Sequence, residues 1–383
     1  LFRGMQEDPL LILHRHQCAS ALVVAEVVGG GSTMTQGLYT TPGVLGAGFA
    51  AYVGVGSGKG KSAFLTNNAA DINRAGVTVD YAASDSILTA TELANYQVLH
   101  NSAHNSVQDQ WGPLIQIPSA ITTVTIPYTL RLANGTAVTD LNLTSEQLCA
   151  IFSGAVSQWN MLNASYPPTA IKVFYRSANS GPSELLSRHL NSRCPAQFSV
   201  NSNFTVARQD KQTTHLTGVA SDAAMLASVA AIDGAIGYAG PEDLGVISNA
   251  KVARVNGLLP PTGPVATPLA NTLPPVSVAD RLDPSKWAPV LADPPSGYAM
   301  VGYTYLLFGQ CYRDAEDAAN IRAFLTRHYG LVANNDAAII ARNMIPLSNL
   351  WKNHIRLPFT QSSATMHYNI NNPDVCNAQG RPS

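Results

Sequence analysis

Tyr175-Arg176-Ser177-Ala178-Asn179-Ser180-Gly181-Pro182-Ser183-Glu184 is the stretch from which the rest of the chain can be read. Ahead of it, Ile171–Tyr175 is rich in β-branched and aromatic residues and reads as a buried strand. Behind it, Ser183–Leu190 reads as a helix. Pro182 suits the first helical turn, where an N–H would lack an intrahelical partner anyway. A strand that delivers the chain directly into a helix start is the βα step of an α/β fold. The same turn concentrates donors. Arg176 can grip a tetrahedral oxyanion through two parallel N–H bonds. Ser180 and the free N–H groups of the helix start complete a cradle. An N-capping serine beside a surface arginine is the bland alternative.

Working outward, the alternation continues. Val77–Ala82, Leu114–Pro127, Ala235–Tyr238 and Tyr298–Phe308 read as strands. Ser145–Phe152, Asp222–Ala231 and Asp314–His328 read as helices. This order predicts α/β architecture with mainly parallel sheets. Residues 256–298 are rich in proline with weak periodicity and read as an excursion and linker before the last long strand. No internal repeat is visible.

The composition narrows the function. The 383 residues are 46% hydrophobic and only 12% charged, with a net charge of −1. That is enough apolar material for real cores and argues against disorder. A near-zero net charge excludes nucleic-acid binding through a broad basic surface. An anion must therefore be held by aimed donors in a small pocket. No apolar run reaches the roughly 18 residues of a membrane span. Residues 1–25 read as an atypical secretion signal or a leader, ending in Val23-Val24-Ala25. Of the five cysteines, Cys18 lies in that leader. Cys149, Cys194, Cys311 and Cys376 read as two disulfides in a secreted chain or as four buried thiols in a cytosolic one. No CxxC or Cys/His cluster points to a metal, and no cofactor motif is present.

Three more stretches bear on anion chemistry. Gly29-Gly30-Gly31-Ser32-Thr33-Met34 offers close backbone approach and a capping hydroxyl before a helix; a plain Gly-Ser turn explains it about as well. Gly54-Val55-Gly56-Ser57-Gly58-Lys59-Gly60-Lys61-Ser62 imitates a nucleotide-binding loop, but GxxxxGK[ST] needs glycine where Val55 stands. A glycine-rich turn with Ser57 aimed at an anion fits better. Asp85, in Ala83-Ser84-Asp85-Ser86, makes sense beside an anion that carries a proton, because a carboxylate accepts from P–OH and repels fully ionised sulfate; a helix cap is its alternative. His100 and His104 lack the intervening Glu of HExxH and read as surface residues. No GxSxG elbow or Ser/His/Asp triad can be assigned.

Taken together and in order, these stretches resemble the DING proteins, a branch of the phosphate-binding components of phosphate ABC transporters. The resemblance runs from Gly29 nearly to the end. It includes GGGSTMTQGLY at 29–39, GVLGAGFAAYVGVGSGKGKSAFL at 43–65, AASDS at 82–86, WGPLIQIPSAITTVTIPY at 111–128, LCAIFSGAVSQWN at 148–160, YRSANSG at 175–181 and GAIGYAGPEDL at 234–244. The Asp-Ile-Asn of the family name is replaced by Glu26-Val27-Val28.

The resemblance implies a type II periplasmic-binding-protein fold: two α/β lobes joined by two crossings, with the ligand in the cleft. One lobe is expected over 26–126 and 301–383, the other over 127–300. It implies that inorganic phosphate is held by Thr33, Met34, Ser57, Asp85, Arg176, Ser180 and Gly181, with Ser183 in support. The family's threonine after Gly181 is Pro182 here, which removes a hydroxyl and an N–H. The implied disulfides are Cys149–Cys194 and Cys311–Cys376. A periplasmic or secreted monomer serving an ABC-transporter permease is the implied setting. Secreted phosphatase or phosphoesterase activity is the alternative associated with some relatives.

Overall fold

The computed structural model describes residues 26–210, 215–261, 272–290, 294, 296–363, 365–377 and 379–382. The leader expected over 1–25, with Cys18, lies outside the described residues, as does part of the proline-rich excursion.

Among the described residues twelve strands form three sheets. They are β1 (Gly29–Gly31), β2 (Val53–Gly54), β3 (Tyr81–Ser84), β4 (Leu114–Thr123), β5 (Tyr128–Thr129), β6 (Asn142–Leu143), β7 (Lys172–Arg176), β8 (Leu216–Val219), β9 (Ala235–Ile236), β10 (Arg254–Val255), β11 (Val301–Gly309) and β12 (Ile345–Pro346). One sheet runs β12-β4-β11-β3-β1-β2, a second β5-β9-β7-β8, and β10 pairs with β6. The chain thus leaves the six-stranded sheet after β4 and returns to it at β11, which gives two lobes and two crossings.

The expectation of mainly parallel sheets needs correcting. In the first lobe β1 is parallel to both β2 and β3, but β11 lies antiparallel between β3 and β4, and β12 is antiparallel to β4. A strand arriving from the other lobe is not bound by the crossover rule that keeps consecutive βαβ strands parallel. In the second lobe β7 is parallel to β8 and β9, while β5 is antiparallel to β9. Residues of β4 and β11 are buried throughout, which explains why neither strand carries a charged residue or a regular apolar/polar alternation.

The helices are α1 (Gln36–Thr40), α2 (Ser57–Thr66), α3 (Ala90–His100), α4 (Ser145–Ser153), α5 (Gly181–Arg193), α6 (Phe204–Ala207), α7 (Asp222–Ala231), α8 (Val278–Leu282), α9 (Ala315–His328), α10 (Asp336–Ala341) and α11 (Asn349–Thr360). Their starts are written locally. Thr89 with Glu92 and Thr144 with Gln147 form capping boxes for α3 and α4, and the Asp314 side chain accepts the Glu316 and Asp317 amides at the start of α9. The strand expected over Val77–Ala82 begins only at Tyr81, because Val79 and Asp80 are taken up by loop contacts: Val79 N–H donates to Asn67 Oδ1 (2.7 Å) and the Asp80 side chain accepts from Val28 N–H (2.7 Å).

The described part of the excursion makes contacts with the first sheet and with α11. Trp287 is buried against Trp351 and Phe359 of α11, and Gln116 of β4 donates to Pro284 O at 3.2 Å. Tyr305 of β11 reaches Pro289 O at 3.0 Å. The described residues 277–289 thus lean on β4, β11 and α11.

Both disulfides form. Cys149–Cys194 ties α4 to the end of α5, with Cα atoms 6.4 Å apart, and Cys311–Cys376 ties the C-terminal segment to the end of β11, at 5.3 Å. That segment then plants Arg381 in the first lobe. The guanidinium donates to Val79 O and Phe64 O and lies over the Phe64 and Trp111 rings.

Candidate functional site

The site is assembled from strand ends and the helix starts that follow them. The triple glycine expected to approach a ligand is instead the strand β1, squeezed between β2 and β3. At Gly31, with φ +136°, a Cβ would lie 2.1 Å from Ala83 O, so only glycine fits there. The functional groups come immediately afterwards. Ser32 N–H donates to Ala83 O at 2.7 Å and Met34 N–H to Ser32 Oγ at 3.0 Å. Thr33 is half-buried and Met34 buried.

Ser57 opens α2 after Gly56, whose φ is +96°. Its Oγ accepts the Asp85 N–H at 3.0 Å and lies 3.2 Å from Asp85 Oδ2. Lys61, which gives the neighbouring sequence its nucleotide-loop look, turns away to Glu92 and Ile87 O, each at 3.1 Å. Lys61, the lysine of the Gly-Lys-Ser ending, is therefore engaged elsewhere and is not aimed at the phosphates of a nucleotide.

Asp85 follows β3 and is 2% exposed. It does not cap a helix; the next helix begins at Ala90 with Thr89 as its cap. Ser32 Oγ donates to its Oδ2, while Oδ1 is buried with no hydrogen-bond partner. Burial pushes the carboxyl up to about 6, against the pull of the Ser32, Thr304 and Ser57 hydroxyls.

The other half comes from the second lobe. Ser180 caps α5, with its Oγ 3.3 Å from Ser183 N and 2.8 Å from Ser183 Oγ. Ser183 Oγ continues to Tyr238 OH at 2.7 Å, which accepts Arg176 N–H at 3.0 Å. Ser183 is thus the spine of this loop, not a stand-in for the hydroxyl missing at Pro182. Gly181 faces Asp85 directly: a Cβ there would sit 2.1 Å from Asp85 Cβ. The lobes are closed on each other at this point.

Arg176 crosses the cleft. Its Nη1 pairs with Asp222 and donates to Thr33 Oγ1 at 3.3 Å, and Nη2 donates to Ala220 O at 3.1 Å. Nε is buried without a partner. Asp222 also accepts Gly240 N–H at 2.9 Å.

The structure therefore brings Thr33, Met34, Ser57, Asp85, Arg176, Ser180, Gly181 and Ser183 to one place. Two residues of the site, Asp222 and Tyr238, were not picked out in the sequence, and Ser32 was read there only as a capping hydroxyl. Asp222 reads as an ordinary first-turn acid after the capping Ser221, and only Arg176, 46 positions away, gives it a second role. His100 and His104 stay outside. His100 is half-buried and stacks on Trp111 with ring centroids 3.5 Å apart, while His104 lies beyond the end of α3. Among the described residues no cluster of three or more His, Cys, Asp or Glu side chains could hold a metal, and no helix is long and apolar enough to cross a membrane.

Comparison with known proteins matches this architecture. The model of the PBP superfamily domain matches residues 42–326. Alkaline phosphatase L of Pseudomonas aeruginosa is 44% identical over 371 residues, covering 95% of this chain and 96% of that protein. The chain belongs to the DING-type phosphate-binding proteins of the PBP superfamily. Within this family, the solved phosphate-binding protein of Stenotrophomonas maltophilia superposes with a TM-score of 0.84 at 36% identity, covering 94% of this chain and all of that one. PfluDING, described as a high-affinity periplasmic phosphate-binding protein and solved with phosphate, gives 0.81 at 38% identity over 93% and 99% of the two chains.

Proposed function

We propose that this member of the DING family captures inorganic phosphate between its lobes and hands it to the permease of an ABC transporter, acting as a monomer in the periplasm or as a secreted protein. The two lobes would be 26–126 with 301–383, and 127–300 apart from the stretch that packs on the first lobe. The residues that would hold the anion are Thr33, Met34, Ser57, Asp85, Arg176, Ser180 and Gly181, with Ser183 bracing the third loop. No cofactor, metal or nucleic acid enters this reading.

One observation carries it. A buried carboxylate, Asp85, stands with one oxygen unpartnered among hydroxyl donors and opposite the helix start of α5. In such a setting a fully ionised anion meets repulsion, whereas one that still carries a proton gives Asp85 a hydrogen bond. Arg176 supplies the balancing charge, its position fixed by Asp222. Monohydrogen or dihydrogen phosphate fits that combination of acceptor and donors; sulfate at neutral pH does not.

Titration calorimetry of the purified protein with phosphate and with sulfate tests the reading, and equal affinity for the two anions would sink it. The name of the Pseudomonas aeruginosa relative makes phosphomonoester hydrolysis the second reading. It is separated by assaying turnover of a phosphomonoester in the same preparation. Sustained turnover that inorganic phosphate inhibits at its binding concentration would favour it.

A further inference from the structure

Glu242 lies outside the donor set described above, yet it joins the two halves of the site. It follows β9 in the second lobe, and its carboxylate reaches into the first. Oε2 accepts the Gly37 N–H at 2.8 Å and Oε1 the Leu38 N–H at 2.7 Å. These amides belong to the first turn of α1, which begins two residues after Met34. The carboxylate is 8% exposed. Burial pushes it up to about 7, against the pull of the two amides; Asp243 and Arg342 are the nearby charges. Arg342 itself is tied to Thr41 Oγ1 at 3.2 Å, just past the end of α1.

The contact closes a ring. Arg176 pairs with Asp222, Asp222 holds Gly240 N–H at 2.9 Å, and Glu242 stands two residues further on. Glu242 grips α1, α1 carries the loop of Thr33 and Met34, and Thr33 Oγ1 receives Arg176 Nη1 at 3.3 Å. Met34 fills the space over Gly240, where a Cβ would lie 2.8 Å from Met34 Cγ. A buried carboxylate is costly unless its lone pairs are used, and removing it would leave the buried Leu38 amide and the half-buried Gly37 amide without this partner.

We propose that Glu242 is a positioning residue for the anion site. By holding α1 against the second lobe it keeps the first loop in register with Arg176, and so sets how long phosphate stays between the lobes. This rests on the phosphate reading above, and its effect falls on release, because the ring must open before the ligand can leave.

The test is Glu242→Gln, which keeps one acceptor and turns the other into a donor facing an amide. Phosphate association and dissociation rates are measured for both proteins at one pH and salt. The expected result is dissociation faster by about tenfold or more, association within about threefold, and an unchanged ratio of phosphate to sulfate affinity, since Asp85 is untouched. A merely structural role would lower melting temperature and the fraction of active sites while leaving dissociation from the active fraction as before. Dissociation within about twofold of the unmodified protein, with full stoichiometry, overturns the proposal. Should the variant fail to fold, hydrogen exchange in the unmodified protein decides. The Gly37 and Leu38 amides should be slowed by added phosphate, and equal exchange with and without it overturns the proposal. If the unmodified protein binds no phosphate, the reading of the site falls; if it binds and only these outcomes fail, the role of Glu242 falls alone.

Discussion

Pro182→Thr is the substitution that asks most of this site. Pro182 is buried in the first turn of α5, next to Gly181, which touches Asp85 across the cleft. At that position proline withholds an N–H at a helix start, where amides are otherwise free to face an anion. Ser183 does not make good the loss, because its hydroxyl is committed to Ser180 at 2.8 Å and Tyr238 at 2.7 Å, and its amide faces Ser180 Oγ at 3.3 Å. Threonine would return one amide and one hydroxyl. A hydrogen bond to a charged partner is worth about 1.5–3 kcal/mol. Against this stands the loss of proline's restriction of the unfolded chain, about 0.4–1 kcal/mol, which touches stability but not affinity. With one or both donors engaged and some rotamer entropy spent, phosphate should bind tighter by about 1–3 kcal/mol, or roughly 5- to 150-fold. The melting temperature of the phosphate-free protein should fall slightly. Isothermal titration of both proteins at one pH and ionic strength measures the difference. An unchanged or weaker affinity would refute the donor argument for this loop.

Other consequences follow from the same geometry. Asp85→Asn should narrow the gap between phosphate and sulfate, because the amide can donate to an oxygen that carries no proton; competition titrations with both anions read this out, and an unaltered ratio counts against the role given to Asp85. Reduction of Cys149–Cys194 or Cys311–Cys376, which close stretches separated by 45 and 65 residues, should each cost up to about 4 kcal/mol on the chain-entropy account; urea midpoints of single Cys→Ser pairs give the value, and no change would refute it. His328 is fully buried against Ser119 and Asn335, and burial holds it at about 4 instead of 6.5. The unfolded chain therefore takes up this proton first as pH falls. Stability is full above about pH 6.5 and declines toward pH 4, by about 3 kcal/mol from this group; His328→Gln should flatten that decline in denaturant titrations, and a parallel decline in both proteins would argue against it.

What could be read in advance was what is written locally. The starts of α4, α5, α7 and α9 follow from Thr144, Ser180, Ser221 and Asp314, side chains that satisfy amides two or three residues on. Arg176 and Ser180 stood out because a strand end and a helix start share one short stretch. The family's motifs carried the fold, the two cysteine pairs and the rest of the residues proposed to hold the anion. Glycine has poor strand propensity, so Gly29–Gly31 looked like a loop. It is a strand because it pairs with β2 and β3 on either side, and it is glycine because Tyr81, Val53 and Ala83, 23 to 52 positions away, leave no room for a Cβ. The antiparallel insertion of β11 depends on a chain returning from the other lobe. Asp222 has its second role only because Arg176 lies beside it, and Glu242 its role only because α1 does. Capping and periodicity act over three or four residues and survive in a linear reading. Steric exclusion, ion pairing and the meeting of two lobes act between residues that only folding brings together, and these decided where the donors, the charges and the cleft would be.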